Sequence, residues 1–432
     1  MNRKVCFCRS GAQAARKFPL AQFGPLLVAM VGLPGRGKSL LARRLSRYLN
    51  YTGDKTRVYD ISEYRRKHMK QYATHEMFKP DNLPAWRIRQ QSFREALEEA
   101  AGWLQQPENR IAILDGPNVS RAQRQEIYDL IYGQLGFRVM FIECVCEDPV
   151  LLERNFKEIL QYSADYTNMA TEEALKDLTH KMAHYKAQYE SPTLGSLWEL
   201  PCPMVKILDG EGGIIAHGVS GTKESKILAY VSTPRPYQQT LYFSRHGESE
   251  YNVIGRIGGD ANLSPRGRLY AQSLAKHIQA LNLPSLQIWT STLQRTKATS
   301  AGIQAPQIHL HELDEIWSGD CESLSYEELQ EHFPRRGGPY EDVMARLVPV
   351  LTQLECETNV LTISHQAVLR CVLSYFLETP PDEIPYVHVP LHTIIKLTLQ
   401  GYNYNMETIK MPVECVDTNR AKPVKLLRES DG

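Results

Sequence analysis

The segment from residue 32 to residue 39 constrains the fold of this 432-residue chain more than any other. It reads Gly-Leu-Pro-Gly-Arg-Gly-Lys-Ser, follows the apolar run from Leu26 to Val31 and precedes an amphipathic stretch from Leu40 to Leu49. A strand, a glycine-rich turn and a helix in this order place backbone N–H groups around a phosphate at a helix N-terminus. The segment therefore predicts an α/β domain that binds a nucleotide.

Each residue type in this loop has a chemical reason to be there. Glycines allow the backbone to approach phosphate oxygens, Lys38 would reach the outer phosphates, and Ser39 would ligate magnesium. Asp115 follows the apolar run from Ile111 to Leu114, where a carboxylate could hold Mg²⁺ through water or orient an acceptor hydroxyl. The predicted nucleotide-binding loop residues are Gly32, Gly35, Arg36, Gly37, Lys38 and Ser39, and the predicted metal ligands are Ser39 and Asp115.

The patterning along the chain indicates two α/β domains. In the first half, short apolar runs such as Val139 to Ile142 alternate with helical patterns such as Ile88 to Leu104, which is typical of a doubly wound parallel sheet. Turn-forming residues concentrate between Val231 and Tyr237, just before a new apolar strand. We therefore predict a basic, flexible extension over residues 1–24, a first domain over residues 25–233 and a second over residues 234–432.

The second half contains the triplet Arg245-His246-Gly247 directly after the apolar strand Leu241 to Phe243. Arg295, Glu315 and His365 follow at the ends of later elements, with predicted strands at 287–290, 360–363 and 394–399 and helices at 267–281 and 344–354. This set suffices for phosphoryl transfer through a phosphohistidine. His246 would attack phosphorus, Arg245, Arg295 and a charged His365 would hold the oxygens, and Glu315 would protonate the leaving alkoxide.

Composition excludes several other classes of function. The chain has 50 Lys and Arg against 49 Asp and Glu, so overall charge gives no reason to expect a nucleic acid partner. No run of 18 apolar residues occurs, so we expect no membrane-spanning segment. The nine cysteines lack the spacing of a zinc site or a disulfide framework, which favours a reducing cytoplasm.

Several longer stretches identify a resemblance to the 6-phosphofructo-2-kinase/fructose-2,6-bisphosphatase family over about residues 25–415. The matching stretches are Val31–Ser39, Glu63–Arg66, Lys79–Asn82, Cys144–Pro149, Tyr242–Glu248, Gly255–Asp260 and Ser364–Arg370. The resemblance implies a P-loop kinase-like domain followed by a histidine-phosphatase, phosphoglycerate-mutase-like α/β sandwich. The first would use ATP and Mg²⁺ to phosphorylate fructose 6-phosphate at O2, and the second would hydrolyse the resulting fructose 2,6-bisphosphate.

The resemblance also assigns further site residues and a homodimeric state. It implies that Asn155 contacts the nucleotide and that Cys146 belongs to the kinase active site, together with Lys38 and Asp115. The implied substrate-binding residues are Arg65, Arg89, Lys181, Tyr185, Asn252, Gly258, Tyr326, Tyr340, Gln366 and Arg370.

The chain departs from the family pattern in the kinase acceptor site. Pro117 stands where the family has a threonine, Gln123 and Lys181 stand where it has arginines, and Leu160 replaces an active-site lysine. Loss of one cation that offsets transition-state charge costs about 2–4 kcal/mol, so the kinase half is expected to be weakened. Lys157 and Arg124 are candidate substitutes for the missing cations.

The phosphatase half has a shortened loop between residues 329 and 340, where the family has further cationic contacts. Arg335 and Arg336 either replace these contacts or lie in solvent. Three hypotheses follow: a working bifunctional enzyme, a phosphatase with an ATP-binding but inactive pseudokinase domain, and a histidine phosphatase or mutase for another phosphate ester. A non-enzymatic scaffold is the least favoured reading because no catalytic group of the phosphatase set is missing.

Overall fold

The chain divides into two compact units, Met1–Pro234 and Arg235–Gly432. The computed structural model describes residues 5–7, 24–69, 74–194, 197–198, 200–210, 213–256, 258–317, 319 and 340–418. Each unit contains one large mixed sheet flanked by helices. Two α/β units of this kind match the fold class that the sequence predicts.

The first unit is built on a seven-stranded sheet. Its strands are β1 (Val5–Phe7), β2 (Leu26–Val31), β3 (Thr56–Asp60), β4 (Ile111–Asp115), β5 (Arg138–Val145), β8 (Met204–Leu208) and β9 (Gly213–His217), and β6 (Thr193–Leu194) pairs separately with β7 (Leu197–Trp198). The helices are α1 (Lys38–Tyr51), α2 (Ile61–His68), α3 (Leu83–Leu104), α4 (Arg121–Tyr128), α5 (Pro149–Tyr162), α6 (Thr171–Ala187) and α7 (Thr222–Val231).

The strand order in this sheet is β1-β9-β8-β5-β2-β4-β3. Strands β8, β5, β2, β4 and β3 run parallel, as the alternation of strands and helices predicts. One edge departs from this parallel arrangement, because β9 is antiparallel to β8. The short connection between these two strands explains the difference, since a crossover that returns a strand parallel needs a dozen or more residues.

The central strand β2 shows why the first half of the sequence contains such continuous apolar runs. Every residue of β2 is fully buried. Leu27, Ala29 and Val31 pack into a core that includes α3 residues, whereas the alternate residues of β2 pack into a core that includes α1 residues. A strand covered by helices on both faces has no solvent side, so it cannot alternate apolar and polar residues.

The second unit is built on a six-stranded sheet with the order β12-β11-β13-β10-β14-β15. Its strands are β10 (Thr240–Arg245), β11 (Gln287–Thr290), β12 (Gln307–His309), β13 (Asn359–Ser364), β14 (Thr393–Gln400) and β15 (Asn403–Lys410). Its helices are α8 (Glu250–Val253), α9 (Pro265–Ala280), α10 (Gln294–Ser300), α11 (Tyr340–Leu354) and α12 (Gln366–Leu377). Strands β12 to β10 are parallel and β14 and β15 form an antiparallel hairpin at the edge.

Sequence patterning missed the two edge strands of this sheet, β12 and β15. Most residues of β15 are exposed and polar, so it contains no apolar run to detect. At the chain's start, Val5–Phe7 pairs in parallel with β9, although the segment was expected to be flexible. Within the described residues, no helix combines the length and apolar character needed to cross a bilayer.

A buried ion pair at the edge of the first unit generates a stability prediction. Arg138 Nη1 lies 2.6 Å from both carboxylate oxygens of Glu224, which is 2% exposed. Removing one charge leaves the other buried without a countercharge, so we expect Glu224→Gln to lower the free energy of unfolding by about 3 kcal/mol. Urea unfolding of the first unit measures this change. In the matched control, Glu126→Gln breaks the solvent-exposed pair with Arg94 and should cost less than about 1 kcal/mol; equal losses would contradict the argument.

Candidate active sites

The phosphate loop of the first unit lies at the carboxyl end of β2 and leads into α1. The backbone N–H of Gly32 donates to the carbonyl of Pro117 at 2.9 Å, and a Cβ at Gly32 would come within 2.4 Å of the carbonyl oxygen of Cys144. Gly35 and Gly37 have φ values of 75° and 76°, and Gly37 caps the N-terminus of α1. The glycines therefore meet real steric needs in the arrangement that the motif predicts.

Lys38, Ser39 and Asp115 come together beside this loop. Lys38 is 7% exposed and donates from Nζ to the carbonyl of Leu33 at 2.6 Å. Burial lowers the pKa of Lys38 to about 8, although Asp115 opposes the shift. Burial, reinforced by the charge of Asp60, raises the pKa of Asp115 to about 6, while a hydrogen bond from Ser39 and the charge of Lys38 limit the rise.

The oxygen atoms of Ser39 and Asp115 fit a magnesium ion. Mg²⁺ prefers oxygen donors and takes one or two protein ligands, with water and phosphate oxygens completing its coordination. No cluster of three His, Cys, Asp or Glu side chains placed to hold a metal occurs in the part of the chain that the structure describes. A hydroxyl and one carboxylate beside a phosphate loop are thus a set for a nucleotide-bound cation rather than for a protein-enclosed one.

Three further predicted residues belong to the loop or to the elements beside it. Asn155 is buried in α5 and donates from Nδ2 to the carbonyl of Gly35 at 2.9 Å, so it fixes the loop backbone. Arg36 donates from Nη1 to the carbonyl of Pro34 at 3.0 Å. Cys146 is buried, and burial raises the pKa of its thiol. The neutral thiol that this favours is a poor nucleophile. The assignment of Cys146 to the kinase active site stays a prediction.

Four of the predicted sugar-binding residues surround the ring of Phe78. The charged groups of Lys181, Arg65 and Arg89 lie 4.6, 5.3 and 5.8 Å from the ring centroid. The ring of Tyr185 is 5.3 Å from that of Phe78. Four separate elements thus contribute to one pocket: α2, α3, α6 and the 3₁₀ turn His75–Phe78. Cations over an aromatic face are attracted by its quadrupole.

Asp165 is the countercharge of this pocket and was not singled out from the sequence. It accepts hydrogen bonds from Arg65 Nη2 at 2.6 and 2.5 Å, and it pairs with Lys181 at 3.3 Å and Arg66 at 3.6 Å. Burial alone would raise its pKa, but Lys181 and the two arginines lower it to about 2. Burial and Arg65 lower the pKa of Lys181 to about 8. The pocket keeps a net positive charge suited to a sugar phosphate.

Neither candidate substitute for the missing kinase cations lies where it is needed. Arg124 is fully buried and donates to the carbonyls of Asn118, Val119 and Glu190, so it serves as a structural tie. Lys157 has 73% of its side chain exposed and pairs with Glu153 at 2.7 Å one helical turn away.

Three of the four substituted positions have structural roles. Leu160 packs into an apolar cluster around Tyr166 and Leu178. Gln123 accepts a hydrogen bond from the hydroxyl of Ser120, the N-cap of α4, at 3.3 Å. Pro117 contributes only its carbonyl to the phosphate loop. None of these three side chains supplies a cation to the predicted acceptor site.

The second unit brings Arg245, His246, Arg295 and His365 together at the carboxyl ends of β10 and β13. The two imidazole rings lie 5.2 Å apart. Arg295 donates from Nη2 to His365 Nδ1 at 3.1 Å, and His365 Nε2 lies 2.8 Å from the hydroxyl of Ser291. All four side chains are at most 5% exposed. Residues separated by 120 positions in sequence therefore form one cluster.

The hydrogen bonds of His246 fix the tautomer that a nucleophile needs. Its Nδ1 lies 2.8 Å from the carbonyl of Gly247, which can only accept, so Nδ1 carries the proton and Nε2 carries the lone pair. Burial and the charges of Arg295 and Arg245 lower the pKa of His246 well below its usual value. A neutral imidazole with a free electron pair at Nε2 is ready to attack phosphorus.

His365 differs from its sequence-based assignment in one respect. We predicted a charged imidazole, but burial and Arg295 lower the pKa of His365 well below its usual value. Its Nδ1 accepts from Arg295, which also requires a lone pair there. Burial beside several arginines therefore disfavours the charged imidazole, and the charge of His365 during catalysis stays a prediction.

Glu315 lies in the loop after β12 and is partly buried. Burial raises the pKa of its carboxyl group, while a hydrogen bond from the N–H of Ile316 and the charges of Arg295, Arg245 and Arg346 oppose the rise. A carboxyl group with a raised pKa is suited to donate a proton near neutral pH.

The remaining predicted substrate residues are more dispersed. Asn252 forms a capping box with Ser249 at the start of α8, and Gly258 has a φ of 68°. Arg370 donates to the hydroxyl of Tyr340 at 3.3 Å and to the carbonyl of Val387 at 3.0 Å. Gln366 begins α12, directly after His365. Tyr326, Arg335 and Arg336 lie outside the described residues.

Sequence reasoning missed His392, which directly precedes β14 and contacts the segment that follows His246. Its ring stacks on Tyr270 at 4.5 Å, and its Nε2 accepts from the N–H of Glu248 at 3.0 Å. Glu248 is fully buried and accepts from Ser264 at 2.6 Å. The only local signal was a histidine just before an apolar strand, which a single sequence cannot distinguish from chance.

Comparisons with known proteins agree with this geometry. A family model described as 6-phosphofructo-2-kinase matches residues 14–236, and one described as histidine phosphatase superfamily (branch 1) matches residues 241–411. A 6-phosphofructo-2-kinase/fructose-2,6-bisphosphatase from Gallus gallus is 38% identical over 414 residues, covering 92% of this chain and 87% of that protein. The 6-phosphofructo-2-kinase/fructose-2,6-bisphosphatase 1 from Homo sapiens is 37% identical over 441 residues, covering 98% of this chain and 93% of that protein. The chain therefore belongs to the 6-phosphofructo-2-kinase/fructose-2,6-bisphosphatase family.

Proposed function

We propose that this protein controls fructose 2,6-bisphosphate, hydrolysing it rapidly in the second unit and synthesising it slowly from ATP and fructose 6-phosphate in the first. The observation that carries this proposal is the contrast between the two sites. His246, His365, Arg245 and Arg295 form a buried cluster, whereas Leu160, at the position where the resemblance implies an active-site lysine, packs into an apolar cluster of the first unit.

In the hydrolytic half, His246 Nε2 attacks the phosphorus of the 2-phosphate, forming an N–P bond as the P–O2 bond breaks. The electron pair of that bond goes to O2, which takes a proton from Glu315. Arg245 and Arg295 hold the phosphoryl oxygens during transfer. Water then attacks phosphorus, gives its proton to Glu315 and releases inorganic phosphate and free His246.

In the synthetic half, the loop from Gly32 to Ser39 holds the phosphates of ATP and Lys38 contacts the outer ones. Arg65, Arg89 and Lys181 hold the phosphate of fructose 6-phosphate near Phe78, and Asp115 orients the acceptor hydroxyl. Ser39 and Asp115 would hold Mg²⁺, which would neutralise negative charge on the transferred phosphoryl group. Leu160 provides no positive charge to help offset the negative charge that remains.

A second candidate function rests on the same apolar cluster around Leu160. If no other group supplies the missing charge, the first unit binds ATP without transferring phosphate and the protein acts as a phosphatase alone. The family resemblance further supports a homodimer in the cytoplasm, with the first unit as the kinase domain and the second as the phosphatase domain.

The shifted pKa values of the phosphate loop predict how ATP binding depends on pH. Lys38 is charged below about pH 8 and loses its proton above it, whereas Asp115 is ionised only above about pH 6. We therefore expect affinity for Mg²⁺–ATP to be highest between these values and to fall on either side, measured by calorimetric titration. Lys38→Gln should weaken binding and remove the fall in affinity at alkaline pH. Asp115→Asn should remove the fall in affinity at acidic pH, apart from the part that comes from protonation of ATP itself. Unchanged pH profiles in both variants would contradict these assignments.

Kinase turnover is best measured in the His246→Ala background, where product accumulates. With γ-labelled ATP and fructose 6-phosphate, we expect slow formation of labelled fructose 2,6-bisphosphate. Leu160→Lys should raise the rate about 10- to 100-fold, because it restores a cation near the transferred group. The matched control Leu175→Lys changes an exposed leucine of α6 and should leave the rate unchanged. No labelled sugar in either protein, with ATP binding intact, would reject synthesis and leave the pseudokinase.

Hydrolysis should depend on His246. We expect His246→Ala to lower fructose 2,6-bisphosphate hydrolysis by about 10³-fold or more and to abolish labelling of the protein by 2-³²P substrate, because no phosphohistidine forms. His309→Gln is the control, since His309 is an exposed histidine in β12. Persistent protein labelling in His246→Ala would overturn the mechanism, and a wild-type protein that cleaves only other phosphate esters would overturn the substrate.

A further inference from the structure

Arg346 lies in α11 beside the segment that carries Glu315. It is partly buried and donates a hydrogen bond from Nη2 to the main-chain carbonyl of Asp314, 32 residues earlier in the chain. That carbonyl belongs to the peptide bond leading directly into Glu315. An arginine in the helix is therefore connected through one peptide unit to the proposed general acid.

The segment before Glu315 is also held by the ends of two strands. The carboxylate of Asp314 accepts from the N–H of Thr292 at 2.6 Å and from its hydroxyl at 2.7 Å. The hydroxyl of Ser364 donates to the carbonyl of Leu313 at 2.7 Å. These contacts fix the side chain of Asp314 and the peptide before it, but they leave its own carbonyl to Arg346. The orientation of the Glu315 backbone thus depends on a contact from α11.

Arg346 also acts on Glu315 through its charge. Burial raises the pKa of Glu315, and Arg346 is one of three arginines whose charge opposes that rise. Arg245 and Arg295 are committed to the phosphoryl oxygens in the proposed reaction, whereas Arg346 approaches from the side of the acid. A positive charge at this place favours the carboxylate that remains once the proton has been transferred.

We propose that Arg346 is a positioning residue for the general acid: it orients Glu315 through the Asp314 carbonyl and stabilises the carboxylate left after proton transfer. This inference rests on the proposed phosphatase function. When the P–O bond breaks, its electron pair goes to the leaving oxygen, which takes the proton of Glu315. The resulting carboxylate later takes a proton from the water that attacks phosphohistidine, so the carboxyl group is restored.

The dependence of rate on the leaving group tests this role. An alkoxide requires a proton as it leaves, whereas p-nitrophenolate is stable without one. We expect Arg346→Gln to lower kcat for fructose 2,6-bisphosphate about 10- to 100-fold and to change p-nitrophenyl phosphate hydrolysis far less. Arg346→Lys, which keeps the charge but not the planar guanidinium, should recover part of the loss.

A matched arginine variant separates this role from a loss of stability. Arg235 donates from Nε to Glu355 at 2.9 Å, just beyond the other end of α11, and both side chains are buried. Arg235→Gln should lower the unfolding midpoint and reduce both activities by the same factor, through the folded fraction. If Arg346→Gln also reduces both activities equally, its role is structural and the proposal is overturned.

A double-mutant cycle with Glu315→Gln completes the test. If Arg346 acts through Glu315, adding Arg346→Gln to Glu315→Gln should lower kcat no further. Additive losses would overturn the proposal. If the wild-type protein cleaves p-nitrophenyl phosphate but not fructose 2,6-bisphosphate, the proposed substrate fails, and glycerol phosphate replaces it as the alkyl ester in the same comparison. A wild-type protein that cleaves none of the three overturns both the proposed hydrolysis and the role of Arg346.

Discussion

Burial of ionisable side chains at the carboxyl ends of parallel strands is the physical condition on which both sites depend. Burial lowers the pKa of Lys38 and His246 and raises that of Asp115 and Glu315. In each case burial favours the uncharged form of the side chain. In water at neutral pH, the lysine would be charged and both carboxyl groups would be ionised. The strand ends shift this balance because they are surrounded by helices and loops that exclude solvent.

The two units use this environment with different completeness. In the second, Arg295 contacts His365, the carbonyl of Gly247 orients His246, and Asp314 and Arg346 hold the segment of Glu315. In the first, the phosphate loop is equally well supported, but Leu160 and Gln123, at positions where the resemblance implies cations, serve packing and capping roles. This contrast is the basis of the proposed slow transfer of phosphate.

The sequence predicted most of what is local. The glycine-rich loop, the strand before it and the helix after it are adjacent in the chain, so spacing alone revealed them. The same holds for Arg245 and His246 at the end of β10. Sequence reasoning failed for Arg124 and Lys157, which were proposed as replacement cations. Whether their charges are available depends on distant or surface partners that the sequence does not show. Arg124 is tied to the carbonyl of Glu190, 66 residues away, and Lys157 pairs with Glu153 on an exposed face.

The sequence by itself determined the two α/β units, the phosphate loop and the set of residues predicted to act in transfer through a phosphohistidine. Strand and helix periodicity and local motifs need no long-range information. Only the tertiary structure decided the protonation states and partners of those residues. His365 was expected to be charged, yet burial and the neighbouring Arg295 lower its pKa and favour the neutral ring. Asp165, His392 and Arg346 belong to no sequence motif. Only the tertiary structure shows that they form hydrogen bonds with Arg65, Glu248 and Asp314, respectively. Burial and distance, which no spacing rule contains, set the electrostatics of both sites.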